Sequence, residues 1–283
     1  MFVFKILSKE KLAPKEFSFW IEAPRIASHA KPGQFVSVRI AETGERIPLT
    51  IADFDAEAGN IRLIFQVVGK TTAAMAQLEA GDEIKDIAGP LGKASEVEKF
   101  GTVLLIGGGI GIAAIFPILR KLKQLDNRVI AILGGRSADL VILKEECREF
   151  CDELIITTDD GSLGQKGLVT DAMKQLSARG EKPEQVWCVG PSIMMKFCQL
   201  TAKELGWPIW VSLNPLMLDG TGMCGCCRVT IDGEIKFACV DGPEFDGHKV
   251  DWAEFMNRLA QYRDEEKISM EKYVAEVGEE SWQ

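Results

Sequence analysis

Residues 100–119 carry no charged side chain, and that run constrains the fold more than any other part of the chain. Its length matches a membrane span. Five of its residues are glycines, however, at 101, 107, 108, 109 and 111, and each costs a helix about 1 kcal/mol relative to alanine. The run therefore divides into an apolar strand at 102–106, a glycine turn at 107–111 and a helix at 113–122. Strand, glycine turn and helix is the order in which nucleotide-binding crossovers are built. The spacing departs from the dinucleotide fingerprint, because Ile112 stands where its third glycine belongs. A tight strand-to-helix turn without a ligand needs the same residues.

The pattern then recurs. Strands are expected at 129–133, 153–158 and 185–189, ending in Gly134-Gly135-Arg136, Asp159-Asp160-Gly161 and Gly190-Pro191. Helices are expected at 138–151, 168–178 and 192–205. This alternation gives a doubly wound parallel sheet, and turns at the carboxyl ends of its strands line the crevice where such sheets bind ligands. A nicotinamide dinucleotide is the expected occupant.

The first hundred residues read differently. Short segments rich in Val, Ile and Phe at 2–7, 16–22, 34–40, 48–54, 61–68 and 83–88 alternate with turn signals and predict an antiparallel six-stranded β-barrel. One brief helical period falls at 72–78. Before it, Gln66-Val67-Val68-Gly69-Lys70-Thr71-Thr72 combines a glycine, a cation and hydroxyls; Arg46-Ile47-Pro48-Leu49-Thr50 adds a second cation and hydroxyl. These are the materials of a phosphate site at a helix N-terminus, and equally those of a threonine cap after a turn.

Near the C-terminus, Asp219, Cys224 and Cys227 stand at the spacing that plant-type ferredoxins use for the first three ligands of a [2Fe-2S] cluster, with Asp in the first place. Gly220, Gly222 and Gly225 free the backbone to wrap an inorganic core. Asp232-Gly233 signals a two-residue hairpin turn that pairs 231 with 234 and 227 with 238, carrying Cys239 back beside Cys227. Three thiolates and a carboxylate suit a [2Fe-2S] cluster or tetrahedral zinc, and buried thiols without metal are the plain alternative. Cys226 is left out because two adjacent residues rarely face one cluster.

Composition bounds the partners. A net charge of -9, from 33 Lys+Arg against 42 Asp+Glu, disfavours nucleic acid and anionic membrane. The 283 residues, 46% apolar, suffice for two domains and a small appendix. The N-terminus lacks the apolar stretch of a signal peptide, so a cytoplasmic location is expected, with reduced cysteines. Packing is expected for Cys147, Cys151, Cys188 and Cys198, and surface or satisfied positions for His29 and His248. No nucleophile and base come together in sequence, so no catalytic side chain is expected.

A barrel, a nucleotide-binding α/β domain and a cluster loop in that order resemble the ferredoxin-NADP reductase superfamily. The loop Asp-Gly-Thr-Gly-Met-Cys-Gly-x-Cys at 219–227 resembles most closely the small-subunit family of NADH-dependent reduced ferredoxin:NADP oxidoreductase, also known as the sulfide dehydrogenase subunit. Related electron-transfer subunits of dihydroorotate dehydrogenase keep the spacing with four cysteines. The resemblance covers residues 1 to about 250 and implies a flavin-binding barrel at 1–98, an NAD-binding domain at 99–213 and a [2Fe-2S] subdomain at 214–250; beyond it, helical spacing predicts a helical tail at 251–283. It implies FAD at Arg46, Pro48, Leu49, Thr50, Gln66, Val67, Gly69, Lys70, Thr71 and Thr72. NAD(H) falls at Gly108, Gly109, Ile110, Gly111, Gly135, Arg136, Asp159, Asp160, Cys188, Gly190 and Pro191, and the cluster at Asp219, Cys224, Cys227 and Cys239. Two positions depart from the superfamily: Ile47 stands where many members place an Arg, and Ala114 where a Pro follows the glycine turn.

The implied activity is hydride exchange between NADH and the flavin, with single electrons passed through the cluster to a larger flavin and iron–sulfur subunit, in an electron-bifurcating heterodimer. Trp252, Phe255, Met256, Leu259 and Tyr262 fall on one helical face, which fits that partner or the protein's own core. The alternatives are the dihydroorotate dehydrogenase subunit and, in a different class, a zinc-stapled nucleotide-sensing interaction module.

Overall fold

The computed structural model describes residues 4–278. Strands β1 (Phe4–Ala13) and β2 (Glu16–Glu22), helix α1 (Pro24–Ala27), strands β3 (Phe35–Arg39), β4 (Ile47–Asp55) and β5 (Asn60–Gln66), helix α2 (Lys70–Met75) and strands β6 (Glu83–Ile84) and β7 (Asp86–Leu91) form an antiparallel barrel in the order β6-β1-β2-β5-β4-β3-β7. The strand expected at 83–88 breaks at Lys85. One half pairs with β1 through Phe4↔Ile84 and the other with β3 through Ser37↔Ala88, so a single broken strand joins both edges of the sheet. Counted as one, it is the sixth strand of the expected barrel.

The pleat sorts the side chains. Phe17, Phe19 and Ile21 of β2 and Ile61, Leu63 and Phe65 of β5 fill the barrel, while Ile64 faces outward to the next domain. Strand β1 runs well past its expected end at residue 7, because Ser8↔Trp20 and Lys11↔Phe17 continue the ladder while Ser8, Glu10 and Lys11 stay exposed. Residues 2 and 3 of that expected strand lie outside the described residues.

The second domain contains β8 (Thr102–Gly108), α3 (Gly111–Gln124), β9 (Arg128–Gly135), α4 (Lys144–Glu149), β10 (Glu153–Thr158), β11 (Gln165–Lys166), α5 (Val169–Ala178), β12 (Gln185–Val189), α6 (Ser192–Leu205) and β13 (Ile209–Ser212). Its parallel strands stand in the order β11-β10-β9-β8-β12-β13. Strand β8 is central, and alternate residues serve opposite faces: Leu104 and Ile106 join the core with Ala172 and Met195, Val103 and Leu105 the one with Ile115 and Leu119. The uncharged run thus holds the central strand and its following helix, and among the described residues no helix is long and apolar enough to cross a membrane. The helix expected at 138–151 is broken. Val141, Ile142 and Leu143 are all buried, and three consecutive apolar side chains cannot share one helix face; Leu143 takes φ +50°, leaving a short 3-10 turn at Ala138–Leu140 and an α-helix at 144–149.

The cluster-loop region follows with β14 (Arg228–Ile231), β15 (Glu234–Phe237), α7 (Ala238–Asp241) and β16 (Glu244–Asp246), the last pairing antiparallel with β13. The hairpin has the expected register: Ile231 pairs with Glu234, and the Ala238 N–H donates to the Cys227 carbonyl at 3.1 Å. Asp232 and Gly233 adopt φ +54° and +76°, as a turn matching the strand twist requires. Helix α8 (Trp252–Leu259) buries Trp252 and Phe255 in the core shared by the second domain and this region, and α9 (Arg263–Val277) returns to the barrel. Of the expected tail face, Trp252 and Phe255 are therefore packing residues of this protein, whereas Tyr262 is 45% exposed.

Candidate cofactor sites

The first site lies where the strand order reverses, between β8 and β12. The turns after these strands meet backbone to backbone: a Cβ on Gly111 would stand 2.3 Å from the Val189 carbonyl oxygen, and one on Gly190 would stand 3.0 Å from that of Gly108. Only glycine permits this approach, which leaves the N-terminus of the 14-residue helix α3 without a side-chain cap. Gly109 N–H donates to the Gly134 carbonyl, Asp159 N–H to that of Gly135 and Asp160 N–H to that of Arg136. Gly108–Gly111, Gly135, Arg136, Asp159, Asp160, Gly190 and Pro191 consequently share one sheet edge, the place a dinucleotide occupies in this architecture. Asp160 accepts from Ser162 N at 2.9 Å and Ser162 Oγ at 2.6 Å, bonds that lower its pKa. Cys188 is the exception among the expected nucleotide residues. It is fully buried against Cys198, so its side chain faces the core, because consecutive strand residues point to opposite faces.

The second site runs along the open start of β4. Ile47, Pro48, Leu49 and Thr50 are only half-buried although mostly apolar, and Gly69 has open space where a Cβ would stand. Arg46 pairs with Asp86, and its Nη1 is buried with no hydrogen-bond partner; Arg39 Nε, beside the same carboxylate, is in the same state. Unpartnered buried donors beside an uncovered apolar strip fit an anionic, largely aromatic ligand such as a flavin nucleotide. Thr72 is less available than its position suggests. Its hydroxyl accepts from Val68 N–H at 3.0 Å and Gly69 N–H at 3.2 Å and so caps α2. Val67 is buried, Gln66 donates to Glu16, and Thr71 donates to Glu45; Lys70 is exposed.

The third site is the cysteine loop. Cys227 and Cys239 Sγ stand 3.2 Å apart, and the Cys239 N–H donates to Cys227 Sγ at 3.5 Å. Burial, followed by the neighbouring Cys227, pushes the Cys239 thiol up to about 12. Asp219 accepts from Thr221 N–H and Cys224 N–H, each at 2.8 Å, and these bonds, Thr221 first, hold its carboxyl below the usual range. Cys224 is exposed, and Cys226 lines a cavity of about 200 Å³ with Leu216, Leu218, Phe255 and Arg258. The structure therefore joins Cys227 to Cys239 and Asp219 to the Cys224 backbone. Among the described residues it does not gather three or more His, Cys, Asp or Glu into a formed metal cage. Three thiols, a carboxylate and loop glycines at φ +67° to +85° nevertheless fit an iron–sulfur core.

The loop also touches the barrel. A Cβ on Gly220 would meet Leu91 Cδ1 at 2.8 Å, and Lys93 N–H donates to the Gly242 carbonyl at 2.6 Å. Leu91 pairs with Phe35, which pairs with Thr50, so the cysteine loop and the open strip of β4 are two strand spacings apart, roughly 10 Å. Glu244 ties in the sheet as well: it accepts from Ser95 Oγ at 2.7 Å and Trp187 Nε1 at 3.3 Å, and burial raises its pKa to about 7. Leu91, Arg39, Glu16 and Glu244 went unnoticed in the sequence, where no motif marks a residue whose role comes from a neighbour far along the chain.

A barrel, a nucleotide-binding parallel sheet and a cysteine loop in mutual contact define an electron-transferring NAD-dependent reductase. The family model for an oxidoreductase NAD-binding domain matches residues 105–200, and that for the iron–sulfur cluster binding domain of dihydroorotate dehydrogenase B matches residues 214–251. The chain is 54% identical to a dihydroorotate dehydrogenase B (NAD(+)) electron transfer subunit homolog from Thermotoga maritima, over 97% of both sequences. It is 36% identical to the electron transfer subunit from Desulforamulus reducens over 88% of this chain and 97% of that one. A solved structure of NADH-dependent reduced ferredoxin-NADP oxidoreductase, described in terms of flavin-based electron bifurcation, has a chain that superposes with a TM-score of 0.92 at 54% identity, covering 97% of this chain and 99% of that chain. The protein belongs to the dihydroorotate dehydrogenase B electron transfer subunit family. It is an oxidoreductase subunit, and the expected cofactors, FAD, NAD(H) and an iron–sulfur cluster, agree with these matches. The iron–sulfur match selects the cluster over the zinc alternative.

Proposed function

We propose that this protein is the small subunit of an electron-bifurcating NADH-dependent ferredoxin:NADP oxidoreductase, working with a larger flavin and iron–sulfur subunit. The observation that carries this over a dihydroorotate-oxidising complex is Asp219. It heads the cysteine loop in place of a fourth thiol, and its carboxylate is fastened to the Thr221 and Cys224 N–H groups.

Each unit has a role in this reading. Residues 1–98 hold FAD, with Pro48, Leu49 and Thr50 against its ring, Arg46 supplying a charged donor, and the backbone of 66–72 beside its phosphates. Residues 99–213 hold NAD(H), with Gly108–Gly111 at its diphosphate and Gly190-Pro191 at the neighbouring turn. Residues 214–250 hold a [2Fe-2S] cluster through Asp219, Cys224, Cys227 and Cys239, and α8 and α9 follow as a helical tail, of whose expected range 251–283 residues 279–283 lie outside the described residues. When bound, these groups supply the conversion between hydride and single-electron transfer. The protein's contribution is position: the Gly220–Leu91 contact keeps the cysteine loop on the barrel, and Glu244 keeps both on the parallel sheet.

An anaerobic visible spectrum of the purified protein, with iron and zinc assayed on the same sample, tests the cofactor assignment. Flavin bands that bleach on adding NADH, with about two irons per chain, are expected; zinc without flavin refutes the reading. Co-purification decides the complex. A partner that reduces NADP with ferredoxin supports the proposal, whereas a dihydroorotate-oxidising partner moves the chain to the alternative its family name suggests.

A further inference from the structure

We propose that helix α9 is a strap that holds the flavin-binding helix α2 against the barrel, so that FAD retention depends on the C-terminal helix. The inference rests on the flavin reading above. Helix α2 has six residues, too few to be stable alone. Its inner side is fixed by Ala73 and Met75 in the barrel core, and its end by Lys9 Nζ, which donates to the Ala76 carbonyl at 2.8 Å. Helix α9 packs beside it.

The composition of α9 makes that contact informative. Its 15 residues are polar around most of the circumference, and none is fully buried. A helix of this kind is marginal in water, so its place comes from whatever seats it. Met270, Tyr273 and Val274, at spacings of three and four, are its half-buried residues packed against the barrel core. Tyr273 also hydrogen-bonds the side chain of Gln77, two positions beyond the end of α2. At its other end the tail is pinned through α8, whose Trp252 and Phe255 lie in the core of the second domain and cysteine-loop region. A segment anchored there reaches back to the helix that follows Gln66–Gly69, the stretch assigned to the FAD phosphates. The tail thereby ties the flavin end to the cluster end.

The test uses the full-length, FAD-loaded protein and measures the rate of FAD release by the rise of free-flavin fluorescence after dilution, with iron per chain assayed in parallel. Deleting residues 263–283 is expected to speed release about tenfold or more, equivalent to about 1.4 kcal/mol, while iron content stays unchanged. Tyr273→Phe, which keeps the packing and removes the bond to Gln77, is expected to speed it about fivefold, equivalent to about 1 kcal/mol. If the deletion also loses iron, Tyr273→Phe decides alone. Unchanged release in Tyr273→Phe and the deletion overturns the strap, and unchanged release with loss of a co-purifying partner assigns α9 to that partner. A full-length protein that never carries FAD refutes the flavin reading itself.

Discussion

Glu16 offers a sharp test of the packing between barrel and nucleotide domain. Its side chain is 1% exposed on β2; Oε1 accepts from Gln66 Nε2 at 3.1 Å, and Oε2 is buried without a partner. Burial first, and the negative charge of Asp139 across the domain contact second, raise its pKa from 4.5 to about 7. The folded protein therefore binds a proton that the unfolded chain has released between pH 4.5 and 7, so stability falls as pH rises through that window. A shift of that size corresponds to at most about 3.5 kcal/mol, at about 1.4 kcal/mol per pH unit. For 283 residues unfolding together, this is about 6 °C in melting temperature at about 2.1 cal/mol/K per residue, of which the part above pH 5 is about 5 °C. Glu16→Gln keeps the acceptor for Gln66 and has no charge to bury. Melting curves of both proteins at pH 5 and pH 8.5 should show the variant gaining on wild type by up to about 5 °C at the higher pH. Taking the difference of differences cancels Glu244, which titrates in the same window in both proteins. A variant that loses the same stability at both pH values would refute the account.

Other expectations follow from single contacts. Gly111→Ala should weaken NADH binding by tenfold or more, since a Cβ 2.3 Å from the Val189 oxygen forces apart two turns at a cost of about 1–3 kcal/mol; unchanged affinity in a calorimetric titration argues that NADH binds elsewhere. Arg46→Ala should reduce FAD affinity about 10- to 100-fold, the range for a lost charged hydrogen bond, and normal flavin content after gel filtration contradicts that role. Asp219→Asn removes a negative charge beside the cluster and should raise its midpoint potential in an EPR-monitored titration; a lowered potential speaks against Asp219 as a ligand.

Local patterns were legible wherever the physics is local. The apolar run 102–106 with its glycine turn became β8 and the start of α3, and Asp232-Gly233 set the hairpin register that returns Cys239 to Cys227. The helix from 192 to 205 begins and ends as read. Patterns failed where burial overrides propensity. The run Val141-Ile142-Leu143 broke an expected helix by being buried on every side, and β1 continued through polar residues because a neighbouring strand completes its ladder. Cys188 sits next to the crevice in sequence, yet strand alternation turns it inward.

The sequence by itself determined the order of the units, the glycines that let backbones approach, and the cysteine spacing, because each depends on residues within one turn or one hairpin. Tertiary structure alone decided which distant surfaces meet. It placed Gly220 on Leu91, left two arginine donors buried and unpartnered at the Asp86 carboxylate, and turned Trp252 and Phe255 inward. It also buried Glu16 within reach of the Asp139 charge in the second domain and set α9 beside α2. Such contacts depend on shape and burial summed over hundreds of atoms, and no periodicity along the chain encodes them.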